Sequence, residues 1–593
     1  MRPIGRIAAL ATAMMTTACT ATVTAPAEAP VAWVRQAPPL DTPWTAEVTP
    51  DNALPEYPRP QLTRTDWLNL NGVWNYLGRS AGAPSEPVPA SGEYRERILV
   101  PYPAESALSG IGRHDDEMWY QRVFQVPDSW RGRDVLLHFG AVDQIATVWV
   151  NGQQVARHEG GYTAFSVDIT GALRDDGAQE ITVRVQDRNE FGPFAVGKQR
   201  TQPAGLFYTG ASGIWQTVWL EPVPAARIDK LDITQDLRSL TVSARTSGTN
   251  GERAVVFVSE PGGRVVVSGS GRAGEPIPLV IPQPRLWSPE DPHLYDIKVA
   301  LVRPSGEVVD AVSSYAGLRT IGTLTDARGR PRIALNGEIT FLHGPLDQGY
   351  WPDGIYTAPT DDALKSDLEW VKKLGMNFVR KHAKVEPARW YYWTDRIGLL
   401  VWQDMPSLDV NLEIPVGPAP EPVLTAKANF EKELLRMVDQ LRSVTSIVGW
   451  VPFNEGWGEF DTARIADTVK AADPTRMVNA NSGVNCCKSL PDSGAGDIFD
   501  DHTYVGPGRP APAGNRVLVD GEYGGLGLSP EGNRWPGRPE SYEMVDDPAR
   551  LTERYVEVSR DLEDIVRRTG LSGAIYTQMT DVENEVNGFL TYD

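Results

Sequence analysis

The stretch ITFLHGPLDQGYWPDGIYTAPTDDALKSDLEWVKKLGMNFVRKH, residues 339–382, changes its period twice. It opens and closes on short apolar runs, 339–344 and 377–382, of strand length. Between them, Leu364, Leu368, Val371 and Leu374 share one face at helical spacing. Thr360 stands where a cap belongs, Asp361 and Asp362 fill the first turn, and Gly375 follows the last apolar residue. Strand, helix and strand in that order are what a parallel sheet requires.

Working outward, further strands fit at 399–402, 447–451, 477–479, 497–499, 517–519 and 573–576, making eight with the first two. Eight strands with intervening helices over 323–593 have the size and rhythm of a (β/α)₈ TIM barrel, whose catalytic groups stand at the carboxyl ends of its strands. Glu455 then follows the fourth strand, in PFNEGWG, and Glu522 the seventh, in VLVDGEYGG. The alternative, an open doubly wound sheet, would have to bring these glutamates together across a switch point. The first βα turn carries no nucleotide-binding glycine fingerprint.

Upstream the period is two. Runs at 134–139, 146–150 and 180–185, with an Asn151-Gly152 hairpin turn after the second, predict a jelly-roll β-sandwich over 40–223. Evenly spaced strands at 240–244, 254–258 and 294–299 predict an immunoglobulin-like sandwich over 224–322. The fold is thus multidomain: jelly roll, immunoglobulin-like sandwich, TIM barrel.

Across 593 residues, 57 Lys+Arg stand against 77 Asp+Glu, a net charge of −20 that argues against nucleic acid or an anionic membrane as the main partner. The 18 tryptophans suit large cores or faces that stack on sugar rings. Arg2 and Arg6 precede an alanine-rich apolar stretch with cleavage candidates at Ala27 and Ala29, so 1–29 reads as a signal peptide of a secreted protein, the alternative being a disordered leader. Thr16 ahead of Cys19 makes a poor lipid-attachment signal, and no later stretch is apolar for the length of a membrane span. The other cysteines, Cys486 and Cys487, are adjacent. They either form an unusual bridge or stay free.

Two carboxylates at a barrel mouth can divide acid and base work over an acetal carbon, one holding a proton for the leaving oxygen and the other ionised. The segments 453–457 (FNEGW) and 521–524 (GEYG), with Arg380 and 394–401 (TDRIGLLV), resemble glycoside hydrolase family 2, the family of β-galactosidases, β-glucuronidases and β-mannosidases. Upstream, 67–74 (WLNLNGVW), 119–122 (WYQR), 148–152 (VWVNG), 213–215 (GIW) and 286–289 (LWSP) extend the likeness to about residues 55–593, in family order. The resemblance implies a retaining enzyme. Glu455 would be acid/base, Glu522 the nucleophile that forms a covalent glycosyl intermediate, and Asn454 the holder of the hydroxyl beside the anomeric carbon.

Other residues are expected around that pair: Arg380 against Glu522, Tyr504 against the nucleophile or a sugar hydroxyl, and His502 as a hydrogen-bonder or loop organiser. His343 and Asp347 after the first strand, Trp402 and Asp404 after the third, and Tyr576 and Gln578 after the eighth are expected to line the mouth. No compact His/Asp/Glu pattern demands a metal, and no cofactor is expected. After Glu522 there is no Asn-x-Lys pair, which the family uses to read a glucuronate carboxylate. The sequence therefore points to a neutral oligosaccharide or polysaccharide, with exo-acting release of a galactose-type sugar in either ring form. An α-L-arabinofuranosidase, another neutral β-glycosidase, a transglycosylase and a non-catalytic carbohydrate-binding protein are the alternatives.

Overall fold

The computed structural model describes residues 32–80, 88–409 and 420–591. The expected signal peptide, with Cys19, lies outside them. In the jelly-roll domain a four-stranded and a six-stranded antiparallel sheet face each other across a core that includes Trp74, Tyr76, Tyr120, Leu137, Val148 and Val183. The hairpin between strands Ile145–Val150 and Gln153–Glu159 turns at Asn151 and Gly152, with φ of +51° and +82°. Positive φ at both centres is the demand of a type I′ turn, which Asn-Gly meets with least strain. The next domain packs a three-stranded sheet on a four-stranded one around Leu240, Val256, Tyr295 and Val299.

The barrel strands are β1 (Leu342–Asp347), β2 (Phe378–Lys381), β3 (Leu400–Asp404), β4 (Ile447–Val451), β5 (Met477–Val478), β6 (Ile498–Tyr504), β7 (Val517–Gly524) and β8 (Gly573–Thr577). Their order in the sheet is β5-β4-β3-β2-β1-β8-β7-β6, and all these pairs are parallel. The ring closes where Asp497 N donates to Val478 O at 2.8 Å. The expectation of a helix after every strand is met only in part. Helices α1 (Asp361–Lys373), α2 (Ala388–Ile397), α3 (Leu424–Leu441) and α4 (Thr462–Ala472) follow β1 to β4, and α5 (Pro548–Thr569) follows β7. After β6 comes VGPGRPAPAGNR (505–516), whose prolines and glycines cannot sustain a helix. After β5 the glycine- and serine-rich 481–496 likewise folds as turns.

The start of α1 is built as its sequence requires, Thr360 Oγ1 accepting from Ala363 N at 3.1 Å. Ile339, expected in the first barrel strand, instead ends a three-stranded meander that begins at Ile321, and it is 45% exposed. Ile333 and Leu335 of that meander join Leu342, Phe378, Leu400, Trp402, Val519 and Ile575 in one core cluster, closing the amino end of the barrel. Neighbouring strands also set a steric limit at Gly344, where an added Cβ would sit 1.7 Å from Phe378 O. Gly344→Ala is therefore expected to cost at least about 1–3 kcal/mol by forcing β1 and β2 apart. A denaturant midpoint equal to that of the parent chain would contradict the close approach.

Candidate active site

Glu455 and Glu522 meet at the carboxyl end of the barrel. Glu455 follows β4 with φ of +51°, a left-handed conformation costly for a side-chain-bearing residue. Its N–H donates to Ser482 O at 2.8 Å, and its carbonyl accepts from Lys488 N at 3.2 Å, so the loop after β5 holds it in place. Glu522 lies within β7, whose pairing register with β6 and β8 shifts beside it. Such bulges re-aim side chains next to active sites. Between the two carboxylates sits the fully buried His502 ring, its Nδ1 2.9 Å from Glu455 Oε1 and 3.5 Å from Glu522 Oε1. The separation of those two oxygens is bounded by the sum of these distances. That bound leaves room for the roughly 5–5.5 Å between carboxyl groups that a retaining pair needs.

The charges around Glu522 keep it ionised. Arg380, wholly buried, donates from Nη1 to Glu522 Oε1 at 3.2 Å, from Nη2 to Asp404 Oδ2 at 2.9 Å, and from Nη2 to Asn454 Oδ1 at 2.7 Å. Tyr504 donates its hydroxyl to Glu522 Oε2. Burial by itself would raise the Glu522 pKa, but the charges of His502, Arg380 and Lys198 outweigh it and bring it down to about 2. His502 runs the other way. Burial would lower it, yet Glu522, Glu455 and Asp500 push it up to about 9, so it stands as an imidazolium donating from Nδ1 to Glu455 and from Nε2 to Ser482 Oγ at 2.8 Å. His382, 2.7 Å from Asp404 Oδ2, is driven well below its ordinary value by burial and by Lys198 and Arg380, and is neutral.

Arg380, Asp404, Asn454, His502 and Tyr504 thus gather around the two glutamates. Other residues expected at the mouth do not. Along β8, Ile575 joins the barrel interior, so alternation turns Tyr576 outward onto Tyr523, Tyr555 and Phe589. The same alternation along β1 puts Leu342 and Leu346 inside and His343 outside, its Nε2 3.2 Å from Tyr523 Oη. Trp402 does face inward but belongs to the core cluster with Phe378 and Leu400, and an added Cβ on Gly449 would lie 2.6 Å from its ring. Asp347 accepts from Lys381 Nζ at 2.6 Å, and the same lysine reaches Glu386 at 2.9 Å, an ion-pair network beside the site. Gln578 is buried with both amide atoms unpartnered among the described residues. Asn454 Nδ2 is likewise a buried donor without a partner among the described residues.

Residues that sequence reading missed come from outside the barrel strands. Lys198 belongs to the jelly-roll domain, is 5% exposed, and holds its Nζ 5.4 Å from the Tyr208 ring centre and 5.6 Å from that of Trp457. It forms no ion pair among the described residues, although its charge is felt at Glu522. No local signal marks it, because its meaning depends on a domain contact. Tyr542 stacks on Tyr504 with ring centres 3.4 Å apart. The cysteine question is resolved toward the bridge: Cys486 and Cys487 are joined, and Cys486 Sγ lies 3.2 Å from Glu455 Oε1. A separate cavity of about 610 Å³, lined by Arg59, Trp215, Lys230 and Arg389 among others, occupies the junction of the three domains.

Three domain families match the chain in succession: "Glycosyl hydrolases family 2, sugar binding domain" over residues 88–221, "Glycosyl hydrolases family 2" over 226–319, and "Glycosyl hydrolases family 2, TIM barrel domain" over 354–499. A putative β-glucuronidase of Formosa agariphila is 27% identical over 348 residues, 57% of this chain but only 39% of that longer protein. The β-glucuronidase of Paenibacillus borealis is 25% identical over 456 residues, 71% of this chain and 74% of that one. A β-galactosidase of Thermoanaerobacter pseudethanolicus is 28% identical over a shorter 305 residues, 49% of this chain and 39% of that one. Among solved structures, a β-glucuronidase from Ruminococcus gnavus superposes with a TM-score of 0.69 at 18% identity, covering 91% of this chain and 97% of that one. With all three domains matched in order, the chain belongs to glycosyl hydrolase family 2 and has the architecture of its retaining glycosidases.

Proposed function

We propose that the protein is a retaining β-glycosidase that removes a terminal β-linked hexuronic acid, as a β-glucuronidase does. This replaces the neutral, galactose-type substrate inferred from the missing Asn-x-Lys pair. Curated relatives at 25–27% identity are named β-glucuronidases, which overturns that inference. The observation that carries the acidic reading is Lys198, a nearly buried ammonium without an ion pair among the described residues, held between Tyr208 and Trp457. A carboxylate on the sugar would supply the missing counter-charge. The barrel lacks, after Glu522, the Asn-x-Lys pair expected to read a glucuronate carboxylate, and the jelly-roll domain offers a lysine instead.

In this reading Glu522 attacks the anomeric carbon while Glu455 protonates the leaving oxygen, and Glu455 then deprotonates the water that releases the sugar. Arg380 and Tyr504 hold the nucleophile, and Asn454 Nδ2 donates to the neighbouring hydroxyl. Among the described residues no helix is long and apolar enough to cross a membrane. Export through the leader at 1–29 remains part of the proposal, tested by the mass of the mature amino terminus.

Lys198→Met is expected to lower kcat/KM on an aryl β-glucuronide about 10- to 150-fold, the loss of one charge-assisted hydrogen bond, with little change on the matching β-glucoside. Measuring both substrates on both proteins checks it. A parent enzyme that prefers aryl β-galactoside to aryl β-glucuronide would sink the acidic-sugar reading.

A further inference from the structure

The bridge between Cys486 and Cys487 sits against the acid/base rather than on a remote loop. Cys486 Sγ is 3.2 Å from Glu455 Oε1, the oxygen that His502 Nδ1 also approaches at 2.9 Å. Ligand atoms of Glu455, Cys486 and His502 all lie within 4.8 Å of one another. Zinc bonds of about 2.0 Å to oxygen or nitrogen and 2.3 Å to sulfur, set at tetrahedral angles, separate ligand atoms by roughly 3.3–3.5 Å. The two short contacts are close to that spacing. The loop is firmly seated: Cys486 N donates to Gly483 O at 3.1 Å, Ser489 Oγ to Gly483 O at 2.8 Å, and Lys488 N to Glu455 O at 3.2 Å. While the bridge is closed, its sulfur is not a thiolate and the trio is one ligand short.

We propose that reduction of the Cys486–Cys487 bridge completes a zinc site made of Glu455, Cys486 and His502, and that zinc bound there blocks the acid/base and silences the enzyme. The reduction is a thiol–disulfide exchange. A dithiol gives two electrons and two protons to the cysteine sulfurs, leaving two thiols and the dithiol's own disulfide. Zinc then displaces the proton of the Cys486 thiol and any proton on His502, and it takes one oxygen of Glu455, leaving a fourth position for water. The closed bridge, as formed in an oxidising compartment, keeps metal off the catalytic glutamate. Zinc capture does not depend on which sugar the enzyme cleaves.

The test compares zinc content and turnover in two redox states. The full-length protein is reduced with a dithiol, desalted without oxygen, incubated with zinc chloride and freed of excess metal. Bound zinc is read with a chromogenic chelator, and activity on whichever aryl glycoside the parent enzyme cleaves. One extra zinc per chain in the reduced protein and a loss of activity of about 10²-fold, the size of a general acid/base contribution, are expected. The oxidised protein should gain neither. Cys487→Ser, which leaves the Cys486 thiol free, should bind zinc without reductant, and Cys486→Ser should not bind it in either state. Equal zinc content in oxidised and reduced parent protein overturns the proposal, even if Cys487→Ser fails to fold. So does zinc retained by reduced Cys486→Ser. An acidic-sugar reading that fails would leave the zinc stoichiometry untouched, so the two ideas fail separately.

Discussion

Glu522→Gln is expected to lower turnover by roughly 10⁴- to 10⁶-fold, the range seen when a covalent nucleophile is removed. The amide has nearly the shape of the carboxylate but cannot form the glycosyl ester. Folding should survive the change, because the strongest partner of Arg380 remains: Asp404 still accepts from Nε and Nη2 at 2.9–3.1 Å. His502 loses one of the two glutamates beside it and keeps Glu455 at 2.9 Å. Its pKa, now raised to about 9, should therefore fall, since Glu522 is the largest of the charges that raise it. Steady-state turnover with folding checked by circular dichroism decides the first point, and a histidine titration followed by NMR decides the second. Residual turnover within about tenfold of the parent would rule Glu522 out as nucleophile.

Glu455→Ala should show a loss that depends on the leaving group. An alcohol of high pKa needs protonation as the bond breaks, whereas an activated phenol leaves without it. The loss on an alkyl glycoside should therefore approach about 10⁴-fold, with a far smaller effect on the first step for a nitrophenyl glycoside. Deglycosylation also slows, because water must attack without its general base, and the glycosyl-enzyme accumulates as a burst. Azide is already a strong anionic nucleophile and fits the space vacated by the side chain. It should restore turnover on the nitrophenyl substrate and give a β-glycosyl azide. An α-glycosyl azide, or rescue only when Glu522 is replaced, would reverse the two roles.

The two candidate glutamates were readable because each stands in a short motif at the end of an apolar strand, and strand alternation with α1 to α4 declares the barrel locally. Capping at Thr360 and the turn at Asn151-Gly152 were legible for the same reason: the atoms that make them are two or three residues apart. His343 and Tyr576 were misjudged because chain position near a strand end does not say which way a side chain points. Register decides it, and Leu342, Leu346 and Ile575 had already taken the inward face. Trp402 faced inward as expected but one layer too deep.

By itself, then, the sequence determined the three-domain plan, the carboxylate pair and its family chemistry, since these rest on local periodicity and contiguous motifs. Tertiary structure alone decided what surrounds the pair. It brought His502 between the two glutamates, carried Lys198 of the jelly-roll domain to Trp457 of the barrel, and folded Cys486 back onto Glu455. These are contacts across domains or between separate barrel loops. Charge, burial and metal-ligating distance depend on separation in space, and the linear order of residues does not encode separation across such gaps.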